Sequence, residues 1–131
     1  MSTRVLRALR GATSVAADDP ASIEAATETL LAAMLERNEV AAEDLVSLIF
    51  TATPDLTADF PAHAARIIGW TDVPLLGATE VDVPGALPRV VRVLLTVEGA
   101  PRGRAPRSRR GASCRCRSTR RLAAALARRG R

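Results

Sequence analysis

Apolar and polar residues follow two rhythms along the first hundred positions, and the changes of rhythm mark the elements. "RVLRALRGATSV" alternates, and it predicts a strand from about Arg4 to Leu9, ended by Gly11. "DDPASIEAATETLLAAMLERN" changes to helical spacing, with Ile23, Ala26, Leu30, Ala33, Met34 and Arg37 on one stripe. Asp19 suits the N-cap of that helix and Pro20 its first position. "DLVSLIFTATPD" reads as a buried strand that stops at Pro54. "ADFPAHAARIIGW" predicts a short helix capped by Asp59, with Pro61 in the first turn and Gly69 at its end. "VPLLGATEVDV" reads as a strand, "PGALP" as a turn or brief helical step, and "RVVRVLLTVEG" as a strong last strand. The order is β-α-β-α-β-β. It predicts an α+β fold, with the helices packed on one side of a mixed sheet. A body of about a hundred residues folds alone only marginally and gains from association.

Composition changes abruptly near Ala100 and divides the chain of 131 residues into a body, 1–99, and a tail, 100–131. The body holds seven arginines and all fourteen acids, a net charge of −7; the tail holds the other twelve arginines and no acid, +12, and together they give the chain's +5. The high pI therefore belongs to the tail. There is no lysine anywhere, and a tail almost entirely of Arg, Ala, Gly, Ser, Pro and Cys is what a GC-rich gene yields in a shifted reading frame. A frameshift near residue 100 is the favoured reading. The competing one is a genuine basic tail, disordered or partly helical, in which "STRRLAAALARRG" starts at Ser118 or Thr119 and ends at Gly130. Nucleic-acid binding is expected only through that tail, because the acidic body repels polyanions and offers two Phe, one Trp and no Tyr for stacking.

No run of about 18 apolar residues spans a membrane, and "MSTRVLRALRGATSV" lacks the apolar core of a secretory leader. Cys114 and Cys116 form no disulfide framework, and two thiols cannot complete a structural zinc site. A reducing cytoplasm is the expected compartment.

The usual catalytic sets are absent from the body. There is one histidine, His63, and there is no cysteine before residue 100. No Ser-His-Asp motif, metal-ligand spacing or glycine-rich phosphate loop is present. What remains is arginines on predicted strands, and a glutamate. Arginine is a poor proton shuttle but a fixed clamp for carboxylates and for an oxygen that gains negative charge. Such a set suits a reaction that needs orientation and electrostatics rather than a base, a nucleophile or a metal.

Plain alternatives accompany each residue. Arg10 reads alone as a solvated strand end, Glu80 and Asp82 as the exposed face of a strand, and Arg66 as a helix-surface charge. Phe60 reads as core or a hydrophobic staple, and His63 as structural or exposed. Arg92, inside "VVRVLL", is the exception, since a charge in so apolar a strand points to function.

Four stretches go further: "LRGATSV", "TATPDLTADFPAHAAR", "GWTDVPLLGATEVDVPGAL" and "PRVVRVLLTV". In order and spacing, over about residues 4–98, they resemble the monofunctional, trimeric, barrel-forming AroH class of chorismate mutase. The resemblance implies a Claisen rearrangement of chorismate to prephenate, without a covalent intermediate or cofactor, in a trimer whose sheets form a pseudo-α/β-barrel. It implies that Arg92 donates to the breaking ether oxygen and a carboxylate, that Arg10 holds a carboxylate, and that Glu80 accepts from the substrate hydroxyl. Phe60 and Ala62 would line the pocket from a neighbouring subunit, with Arg66 at its mouth and Leu75 and Leu76 as an apolar wall. Gly77 stands where the family has a cysteine near the substrate hydroxyl, and His63 where a lysine can occur. The tail does not match the family's tyrosine-bearing C-terminal strand. An inactive, frameshifted family member and a non-enzymatic binder of nucleic acid or small carboxylates are the alternatives.

Overall fold

The computed structural model describes residues 3–99, and the tail expectations, including Cys114, Cys116 and the helix near 118–130, lie outside them. The element order is as the pattern predicts: β1 (Val5–Ser14), α1 (Pro20–Asn38), β2 (Leu45–Ala52), α2 (Pro61–Ile67), β3 (Leu75–Thr79) and β4 (Val90–Gly99), with a single 3-10 turn at Ala42–Asp44. The sheet runs β1-β4-β2-β3. β4 pairs antiparallel with β1 and with β2, and β2 pairs parallel with β3, so the sheet is mixed.

β4 shows why one side of the sheet is covered. Val91, Val93, Leu95 and Val97 are buried, and successive side chains of a strand point to opposite faces. They meet Leu48 and Phe50 of β2, Ile23, Leu31 and Met34 of α1, and Ala65 of α2 in one core. Both helices therefore lie on this face.

α1 begins as predicted. The Asp19 carboxylate accepts from the Ser22 backbone N–H and hydroxyl, each at 2.8 Å, and Pro20 needs no N–H donor in the first turn. Its buried stripe is turned from the predicted one: Ile23 and Met34 are buried, but Thr27 and Leu31 join them, and Arg37 is exposed. Thr27 is tolerated in the core because its hydroxyl donates to the Ile23 carbonyl at 2.7 Å.

Three local expectations are corrected. Gly11 does not end β1, which runs on to Ser14. A Cβ at Gly11 would stand 2.6 Å from Met34 Sδ and 2.9 Å from Leu30 Cδ1, so the glycine lets the strand approach α1 closely. Asp59 is not the N-cap of α2; Phe60 is, and the Asp59 carboxylate takes the Phe60 N–H at 2.7 Å. β3 ends at Thr79, short of Glu80 and Asp82. The Glu80 N–H still reaches the Ala52 carbonyl at 2.9 Å, but β2 has ended there and offers no further ladder. Gly69, at φ 96°, closes α2 as predicted, and the Gly69 and Trp70 N–H groups bond back to Arg66 and Ala65. No helix among the described residues is long and apolar enough to cross a membrane.

Candidate active site

The second face of the sheet is uncovered among the described residues, and it carries the chemistry. Its side chains are those of opposite parity: Leu6, Ala8, Arg10 and Ala12 on β1, Arg92 and Leu94 on β4, Ile49 and Thr51 on β2, and Leu76 and Ala78 on β3. Arg92 pairs with Ala12 on one side and with Thr51 on the other, and Arg10 pairs with Leu94. Arg10 and Arg92 are thus diagonal neighbours on adjacent strands, a spacing that two long side chains can bridge.

Glu80 turns back to this face just after β3. Its Oε1 accepts from Arg92 Nε at 2.7 Å and from the Thr51 hydroxyl at 2.7 Å. The Glu80 side chain is 20% exposed and that of Arg92 53%. An ion pair this open contributes little to stability and is readily re-partnered. The guanidinium therefore has further donors to offer an incoming anion, and the carboxylate has a second oxygen to offer a donor. Two fixed cations, one acceptor and an apolar surround suit an anionic ligand that also carries a hydroxyl.

The remaining predicted residues stand elsewhere. Phe60 is 78% exposed, so neither core nor staple describes it. Ala62 packs partly against the core. His63 is exposed, and its Nδ1 lies 3.0 Å from Asp59 Oδ2. That carboxylate's hydrogen bond, and then its charge, raise the His63 pKa above the ordinary value, and the same bond lowers that of Asp59. Arg66 Nη1 donates to the carbonyls of Trp70 and Thr71, tying down the loop after α2 rather than standing as a bare surface charge. These four residues lie on or beside α2, on the covered side of the sheet, and the single chain does not bring them to Arg92.

Leu75 and Leu76 do not form one wall within the chain, because strand neighbours alternate. Leu75 packs against the core, while Leu76 is 61% exposed on the open face. At Gly77, opposite Phe50, a Cβ would meet nothing within 4 Å, so the space for a side chain is there although the side chain is not.

Sequence reasoning missed Thr51 and Asp18. The Asp18 carboxylate accepts from the Thr57 N–H, the Thr57 hydroxyl and the Ala58 N–H at 2.8–3.0 Å, bracing the loop that leads into α2. The Thr57 hydroxyl, followed by the two backbone donors, holds its pKa below the usual value. An aspartate before an N-cap aspartate carries no sequence signal of a partner 39 residues on.

The profile of the family described as chorismate mutase type I matches residues 6–109. The chain belongs to the chorismate mutase type I family. It is 55% identical over 91 residues to the chorismate mutase AroH of Thermus thermophilus, covering 69% of this chain and 75% of the relative. Against the chorismate mutase AroH of Bacillus subtilis the identity is 42% over 95 residues, covering 72% and 75%. A solved chorismate mutase from Clostridium thermocellum superposes with a TM-score of 0.68 at 46% identity, over 70% of this chain and 81% of that one. As in the family resemblance read from the four motifs, Arg10, Glu80 and Arg92 all fall within the matched span.

Proposed function

We propose that this chain is a chorismate mutase: an isomerase that converts chorismate to prephenate in aromatic amino-acid biosynthesis. The observation that carries the site assignment is the Arg92–Glu80 pair on the open sheet face, with Arg10 diagonal to it. The substrate is a dianion with a hydroxyl and an ether oxygen. Arg10 holds one carboxylate, and Glu80 accepts from the hydroxyl. Arg92 donates to the ether oxygen, where negative charge grows as the C–O bond breaks and the new C–C bond forms. Both bond changes lie within one molecule, so orientation and a preorganised cation lower the barrier without a proton shuttle.

In this reading the working form is a homotrimer in the cytoplasm. Two features support the assembly. The open face presents Leu6, Ile49, Leu76 and Leu94 partly or largely exposed, and such a patch is covered in a stable protein. The α2 group of Phe60, Ala62, His63 and Arg66 lies on the other side of the sheet from Arg92, so one chain's α2 can line only another chain's site. The proposed site residues all lie within residues 1–99, and the family match runs on to residue 109.

The test follows loss of chorismate by ultraviolet absorbance with prephenate identified as product. The whole chain is expected to turn over. Arg92→Ala should lose about 3–4 kcal/mol of transition-state stabilisation, read as kcat/KM, because the developing charge loses its donor. Near-unchanged kcat/KM in that variant would sink the mechanism.

A further inference from the structure

Thr51 opens the stretch "TATPDLTADFPAHAAR", yet neither the motifs nor the family resemblance gives it a role. On β2 it stands opposite Arg92 of β4 and Ala78 of β3, so it occupies the open face between the arginine and the strand end from which Glu80 emerges. Its hydroxyl donates to Glu80 Oε1, the same oxygen that takes Arg92 Nε, both at 2.7 Å. We infer that Thr51 is a positioning residue for Glu80, and that it keeps the carboxylate aimed when substrate takes over Arg92. The inference rests on the functional reading above.

The physical argument is one of freedom. Glu80 lies past the last residue of β3, with its backbone held by one N–H bond to Ala52. Its side chain has three rotatable bonds, and among the described residues only Arg92 and Thr51 bond to its carboxylate. Arg92 is a half-exposed partner that the substrate's anionic oxygens compete for. Thr51 has no such competitor: its β-branched side chain is stiff about χ1, and its one proton is committed to Oε1. Both donors meet Oε1, and among the described residues no hydrogen bond engages Oε2. That oxygen is left to accept from the substrate hydroxyl.

The test compares Thr51→Val, which keeps the β-branched shape and removes the donor, with Thr51→Ser, which keeps the donor. Both are made in the full chain and checked for native circular dichroism. Two readouts are taken: kcat and KM for chorismate, and solvent exchange of the Arg92 Nε–H by NMR without substrate. Thr51→Val is expected to lower kcat/KM roughly tenfold, the scale of one hydrogen bond to a charged group. It is also expected to speed Nε–H exchange, with Thr51→Ser restoring most of both. In a Glu80→Gln background the valine substitution should add little. Wild-type kcat/KM and exchange in Thr51→Val, or a serine variant as impaired as valine, overturns the inference. A wild-type chain without turnover, whose Nε–H exchange still depends on Thr51, sinks the functional reading and leaves the positioning intact.

Discussion

The two faces of β4 differ sharply, though they alternate residue by residue. Val91, Val93, Leu95 and Val97 point under the helices and are almost wholly buried, while Arg92 and Leu94 point to the open side. The covered face closes within one chain around an apolar core, with Arg7 of β1 on the same parity leaving a buried Nε without a hydrogen bond among the described residues. The open face is not, because it mixes leucines that water disfavours with a guanidinium that a dry interior would penalise. Strand parity separates folding from chemistry: one parity holds the strand in place, and the other is aimed by it. Arg92 is therefore held by a backbone that cannot move without breaking the core, while its side chain stays available.

Adjacent leucines give the sharpest test of this contrast. Leu95→Ala removes a fully buried side chain from the centre of the core and should lower unfolding stability by about 2–5 kcal/mol, measured by urea titration. Leu94→Glu, one residue away, should leave the secondary structure intact and instead abolish the proposed trimer, read by sedimentation velocity. A monomer-sized wild type, or a Leu94→Glu chain that stays trimeric, breaks the reading of the open face as an assembly surface.

What the sequence disclosed follows the same division. Element order and the start of α1 were legible because their signals are local: Asp19, Pro20 and the change of period sit within a few residues of what they specify. The end of β3 was not, because Glu80 to Val83 alternate like a strand but have no strand neighbour among the described residues once β2 has ended at Ala52. Arg92 stood out as a charge in an apolar strand. Its partner Thr51 did not, since a threonine in a strand is ordinary until the register sets it beside Arg92. The stripe of α1 was misjudged at Thr27 for a related reason: its hydroxyl is satisfied by its own helix, which hydropathy does not count.

Gly11 sharpens the contrast from the covered side, where β1 and α1 touch. Gly11→Val places a Cβ at 2.6 Å from Met34 Sδ, so something must shift. The methionine is flexible, so an overpacking cost of about 1–2 kcal/mol is expected by thermal unfolding. Equal stability would show that the strand's approach to the helix has slack, and that the glycine is not needed for packing.

The smallest effect belongs to Asp59 and His63 at the start of α2, where the histidine is exposed and the aspartate half-buried. Asp59 raises the His63 pKa first by its hydrogen bond and then by its charge, with Glu24 of α1 adding a weaker attraction. A raised pKa means that the folded state holds the proton more tightly. The stabilisation is therefore full below the unfolded value of 6.5 and fades as pH climbs through the folded one. Asp59 acts with the opposite sign, contributing above its unfolded value of 3.8 and losing that contribution as pH falls through its depressed one. The pair thus stabilises the chain between those limits and weakens toward alkaline pH. His63→Gln should remove this alkaline decline, seen as a flatter dependence of Tm on pH between about 6 and 8.5. If His63 also faces the dianion across a subunit boundary, KM for chorismate should rise with pH over the same interval in the wild type and stay level in His63→Lys. That charge is kept throughout, because a lysine holds its proton to about pH 10. A wild-type KM that is level across the interval would confine His63 to its contact with Asp59.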